Sequence, residues 1–110
     1  MKNFVHVGGS LDVAAPRAVL AGDAVQVGAI FGVALYSAQA GTLLVLVCEG
    51  VFDLPALASD VIAFGAKAYW DNTNFRLTTT ASGNTLVGVF TAAKAAGGAV
   101  ARVRIDGFAR

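Results

Sequence analysis

The sequence predicts an all-β chain, a small barrel or sandwich of about eight short strands with one short helix near residues 56–64. Three observations lead there. Turn clusters recur at short intervals along the whole chain. The runs between them alternate apolar and polar residues with a period of two. The apolar share is 56% and is dominated by 22 Ala and 15 Val, so the side chains to be packed are small and often β-branched, which suits a pleated surface. At 110 residues the chain is expected to form a single domain, residues 1–110, with residues 1–8 as a contact arm.

The elements follow in order. Gly8-Gly9-Ser10 precedes a strand over Leu11–Ala14, and Pro16 closes it. After Ala21-Gly22-Asp23, the residues Val25, Val27, Ala29 and Phe31 alternate, giving strands over Ala24–Gly28 and Ala29–Ser37. Ala40-Gly41 introduces Leu43, Val45 and Val47, the start of a strand reaching Phe52. Asp71-Asn72-Thr73-Asn74 joins Lys67–Trp70 to Arg76–Thr79 as a hairpin. Ser82-Gly83-Asn84 leads into Thr85–Ala92, and Gly97-Gly98 into Ala99–Ile105. Pro16 and Pro55 fall between strands. The helix rests on Leu57, Val61 and Phe64, spaced four and three apart on one helical face, with Gly65 as its C-cap. Ala-rich Thr91–Ala96 is expected as a loop or a single turn of helix. Phe31-Gly32-Val33 after Gly22, and Val87-Gly88-Val89 after Gly65, read as a recurrent hairpin device rather than a repeat, because the intervals differ.

Composition excludes several functions. Only 14% of residues are charged and the net charge is +1, so there is no field to hold a phosphate backbone or an anionic membrane. Ala24–Cys48 carries no charge, but Gly28, Gly32 and Gly41 interrupt it and its period is two, so it is not a spanning helix. No secretory leader is expected at the start. Cys48 is the single cysteine, read as a buried inert thiol, and the compartment as cytosolic rather than secreted. His6 has no partner spaced for a Ser–His–Asp arrangement, and Glu49 is the one glutamate. Asp71-Asn72-Thr73-Asn74 lacks the Gly and Glu of a calcium loop, with Arg76 and Ser82 in their places. Arg102 and Arg104 share one strand face, a solvated or protein-contacting face rather than a nucleic-acid site. The chain is therefore not expected to be an enzyme, nor to take a metal or cofactor.

A set of segments carries a resemblance. Met1-Lys2-Asn3-Phe4-Val5, Ala21 to Gly28, Ile30 to Ala34, Glu49-Gly50-Val51-Phe52-Asp53-Leu54-Pro55, Ala68-Tyr69-Trp70-Asp71, Thr79 to Asn84 with Gly88-Val89, and Ala101-Arg102-Val103-Arg104-Ile105 resemble the phage and prophage capsid cement, or head decoration, protein family. The likeness runs end to end, and the Gly-Val-Phe-x-Leu-Pro and Tyr-Trp-Asp segments are its most specific parts. It implies a non-enzymatic protein, made in the host cytoplasm, that binds the major capsid protein on the outer surface of an expanded head. It also implies a homo-oligomer, with a trimer favoured.

Two contact regions are expected on that reading. The first is Met1, Lys2, Asn3, Phe4 and Val5, which either add a strand to a neighbour's edge or begin this chain's own barrel. The second is the Gly50–Leu57 corner with Phe52 and Leu54. The alternative function is a small β-barrel binding module, a tail accessory recognising saccharide on Tyr69, Trp70, Asp71 and Asn72, although Trp70 itself reads better as core.

Overall fold

The computed structural model of the protein describes residues 10–106; Met1–Val5, His6 and Arg110 lie outside the described residues. It is all-β, with nine antiparallel strands in two sheets. The strands are β1 (Ser10–Ala14), β2 (Ala24–Val27), β3 (Ile30–Ala34), β4 (Leu43–Val47), β5 (Glu49–Pro55), β6 (Lys67–Asp71), β7 (Arg76–Thr78), β8 (Thr85–Phe90) and β9 (Val100–Asp106). The four-stranded sheet has the order β1-β4-β3-β2 and the five-stranded sheet β5-β9-β8-β6-β7. Apart from the run beginning at Leu43, the strands stand where the turn signals and the alternation place them.

The expected strand from Leu43 to Phe52 is two strands in different sheets. Alternation continues through the junction, with Leu44, Leu46, Cys48 and Leu54 buried. The hydrogen-bond partners change, however: β4 pairs with β1 and β3, while β5 pairs with β9. Gly50, at φ 139°, supplies the backbone freedom at the crossing. Pro55 is the last residue of β5 rather than a linker residue, which is tolerated because β5 is an edge strand.

The helix expected near residues 56–64 does not form. Val61 and Phe64, two residues of its supposed inner face, are 73% and 75% exposed, and Ile62 between them is buried. The backbone finds partners outside the segment. Ala56 N–H donates to Ala99 O, Leu57 N–H to Leu77 O, and Ile62 exchanges both main-chain bonds with Lys94. The Lys94 ammonium donates to the carbonyls of Ala58 and Asp60, and the Asp60 carboxylate accepts from the Thr78 hydroxyl and Thr79 N–H. A nine-residue helix is marginal alone, and these tertiary bonds replace it. Thr91–Ala96 is a loop carrying the Lys94 bridge.

The two sheets repeat one plan, which corrects the reading of the Gly-Val echoes as a mere hairpin device. β1, β2, β3 and β4 correspond to β5, β6, β8 and β9, and both sheets place them in the same order. Several loop hydrogen bonds correspond. Val19 exchanges bonds with Ala38 as Ile62 does with Lys94; Gly22 N–H meets Ala34 O as Gly65 meets Phe90; Thr42 N–H meets Gln39 O as Gly98 meets Ala95. Gly22 and Gly65 have φ of 89° and 86°, Gly41 and Gly97 of 81° and 99°. Gly32 and Gly88 both lie under a neighbouring strand too close for a Cβ. The intervals differ because the tight turn after β2, with Gly28 at φ 60°, is replaced in the second half by an excursion that adds β7 beyond β6.

Two apolar clusters hold the structure. Val19, Val25, Leu44, Leu46 and Cys48 fill the first sheet's own core. The larger cluster gathers Leu54, Trp70, Leu77, Phe90, Val103 and Ile105 with Phe31 and Val33 of the first sheet, so it joins the halves. Phe31 and Trp70 pack tilted with centroids 5.3 Å apart. Arg17 stacks over the Phe75 ring at 4.2 Å and donates to Ala24 O, bracing the same seam.

Candidate functional site

Within the Tyr69–Asn72 segment, the Trp70 ring is not available to a ligand, while Tyr69 and Asp71 are half-buried and Asn72 is exposed. Trp70 is 1% exposed, as the core reading expects, and its indole N–H donates to Asn72 Oδ1 at 3.1 Å. Asp71 holds its own turn: it accepts from Thr73 N–H, Asn74 N–H and Asn74 Nδ2, and these bonds keep its carboxyl below the usual carboxylate range. The turn is structural. The saccharide-binding alternative is thereby left without its tryptophan. Among the described residues no three His, Cys, Asp or Glu side chains gather to hold a metal ion. No helix among them is long and apolar enough to cross a membrane.

The corner at β5 is partly spent on the fold. Leu54 is 1% exposed in the larger cluster and Phe52 is half-buried against it, its ring stacked over Gly50. The residues that face out are Val51, Asp53 and Pro55. The parity of Leu44, Leu46 and Cys48, carried forward to Phe52 and Leu54, is the sequence signal that locates this inner face.

The outer face of the five-stranded sheet is a candidate contact surface. Register places Val51 opposite Arg104, Arg104 opposite Val89, and Val89 opposite Lys67, a row of alternating apolar and cationic side chains across four strands. All four are exposed. Beside the row, Arg102 grips Asp53 through Nε at 2.9 Å and a second nitrogen at 3.2 Å. That bond holds the Asp53 carboxyl below its ordinary range and raises the guanidinium above its own. Both arginines face out, as their spacing in the sequence requires.

The loop ends form the other candidate surface, and the sequence reading missed it. Leu20 and Leu43 stand exposed on the first half, and Val61 and Phe64 on the second. Leu20, Val61 and Phe64 lie in loops, where alternation gives no signal of exposure, and Leu43 opens β4. Cys48 is buried, and burial followed by the neighbouring Glu49 charge pushes its thiol up, away from nucleophilic chemistry.

The described residues thus present exposed apolar and mixed surfaces. A family model described as phage cement protein matches residues 5–105, and the chain belongs to that family. Membership gives it a structural role associated with the phage capsid and a place in the virion. No curated protein and no solved structure matches the chain.

Proposed function

We propose that this chain is a non-enzymatic decoration protein that binds the major capsid protein on the outer surface of an expanded head and stabilises contacts between capsomers, acting as a homo-oligomer, a trimer by preference. The observation that carries the reading is the outer face of the five-stranded sheet, where Val51 and Val89 stand exposed beside Arg104 and Lys67. Apolar side chains flanked by cations suit a protein surface carrying carboxylates, because the apolar groups lose water while the charges set the register. Many copies, each making modest contacts with two neighbouring capsomers, hold the expanded lattice by avidity and mass action. The arm Met1–Val5, with Phe4 ahead of Gly8-Gly9, is the second proposed contact.

The test is co-sedimentation with expanded and unexpanded empty heads. Saturable binding to expanded heads alone is expected, with Arg104→Glu and Val51→Asp each weakening it about tenfold or more. Deletion of Met1–Val5 is expected to weaken binding while leaving the fold intact. Equal binding of Arg104→Glu, Val51→Asp and the parent chain would discard the sheet face as the contact.

A further inference from the structure

Because both sheets follow one plan, differences between them at matching positions are informative. On the second sheet, register joins Val51, Arg104, Val89 and Lys67 into one row. On the first sheet it joins Ser10, Val47, Val33 and Ala24 into the matching row, strand for strand. The two rows differ in what covers them. Ala24 and Val33 are 4% and 6% exposed, and they lie in the larger cluster with Leu54 and Trp70 of the second half. That row is a seat, and the second half of the same chain occupies it. Lys67 and Val89 stand at the matching places and are exposed. The second half therefore carries the same seat, left uncovered by the described residues.

The seat has also changed its chemistry. Where the first half has Ala24 and Val47, the second has Lys67 and Arg104. Neither cation makes an ion pair or hydrogen bond with a described residue. By contrast, Arg17 meets Asp23, Arg102 grips Asp53, and Lys94 donates to loop carbonyls. Lys67 and Arg104 are two strand spacings apart, about 10 Å, with Val89 between them. The flanking rows differ in sign. On one side Asp53 and Arg102 neutralise each other, and on the other Glu49 stands opposite Asp106. Carboxylates of a partner are drawn to the middle row and repelled from the acidic one, which fixes how the partner lies.

Resting on the shell-binding role proposed above, we propose that Lys67 and Arg104 take two carboxylates of the major capsid protein, about 10 Å apart, with an apolar group between them seated on Val89. The occupant follows from the exchange of residues between the halves. An apolar seat suits the chain's own second half. A seat with two cations gains from being covered only where the incoming surface brings counter-charges, because a desolvated ammonium or guanidinium without a partner is costly. Glu49 and Asp106, the acids nearest the row, are one strand spacing apart, about 5 Å, so a second copy does not match the cations with that pair.

The experiment uses the full chain on expanded empty heads and reads two things. The first is binding of the parent, Lys67→Met and Arg104→Met as salt is raised. Methionine keeps an apolar stem and removes the charge, and both positions are exposed, so the near-ultraviolet signal of buried Trp70 is expected to persist. Each variant is expected to bind about tenfold or more weakly. The parent is expected to weaken between about 0.1 M and about 1 M salt, where the screening length falls from about 10 Å to about 3 Å. The second reading needs no variant. A carbodiimide, which joins an amine to a carboxylate in direct contact, is expected to link Lys67 of the parent to an Asp or Glu of the major capsid protein, identified by mass spectrometry of the linked peptides. If the parent binds and Val51→Asp weakens it, but both methionine variants bind as the parent does at every salt concentration, this inference is overturned and the sheet face stands. A Lys67 link to a second copy of the chain, with none to the shell, overturns it as well. A parent that ignores expanded heads overturns the shell-binding role itself, and this inference with it.

Discussion

Gly88→Ala tests the packing argument where it is most severe. A Cβ at Gly88 would stand 2.9 Å from the Arg104 carbonyl carbon and 3.3 Å from Ile105 Cα, and nearer still to the Arg104 carbonyl oxygen. Carbon pairs rest at about 3.5–4.0 Å, so β8 and β9 must part or slide by something near an ångström. Both strands are internal to the sheet: β9 lies between β5 and β8, and β8 between β9 and β6. The obstacle is backbone, which cannot turn aside as a side chain can, and moving it disturbs Val103 and Ile105 in the core. Overpacking costs about 1–3 kcal/mol where side chains yield, so we expect about 3 kcal/mol or more here. A domain of this size has about 5–15 kcal/mol in total, and the loss is a large part of it. Gly32→Ala is the graded comparison. Its Cβ would meet Leu46 Cβ at 2.9 Å and Val47 O at 3.0 Å, and about 1–3 kcal/mol is expected. Gly41→Ala has open space around it but φ of 81°, so its cost is conformational, about 1–2 kcal/mol. Urea unfolding followed by Trp70 emission measures all three. A Gly88→Ala unfolding free energy within about 1 kcal/mol of the parent, or a ranking with Gly41→Ala worst, would refute the reasoning.

Three further outcomes are expected. Lys94→Met keeps the stem but removes the donor from three loop carbonyls, and should cost about 1–3 kcal/mol in the same urea assay. Asp53 has a carboxyl held low by Arg102, so it adds stability above the ordinary carboxylate value of about 3.9, and that share is lost as pH falls through the lower folded value. Asp53→Asn should accordingly flatten the acid limb of the stability profile, and an unchanged limb would deny the pair any role. Cys48, buried with its thiol pushed up, should react with iodoacetamide at mildly alkaline pH only as fast as the chain opens, with labelling rates rising in step with urea.

The fold class and nearly every strand were legible along the chain, because alternation and turn chemistry are local. Val25 and Val27, or Leu44 and Leu46, carry their own period, and Gly22 and Gly41 mark turns by the backbone angle they permit. The burial of Trp70 and the shared outer face of Arg102 and Arg104 followed from the same locality. The helix near residues 56–64 was misread because Leu57, Val61 and Phe64 have helical spacing, while the bonds that decide the segment come from Leu77, Lys94 and Ala99, far along the chain. The contact candidates Phe52 and Leu54 were read as a corner, although their parity belongs to the inner face of β5.

By itself, then, the sequence determined a small all-β chain with these strands and turns, and its resemblance pointed to the cement family that the match over residues 5–105 establishes. Tertiary structure alone decided the division of Leu43–Phe52 between two sheets, the duplication hidden by the β7 excursion, and the burial of Lys94 against the carbonyls of Ala58 and Asp60. The physical reason is distance. A strand's period and a turn's backbone angle are properties of a few successive residues. A strand's partner, and whether a space between loops is filled, depend on residues tens of positions away that only folding brings together.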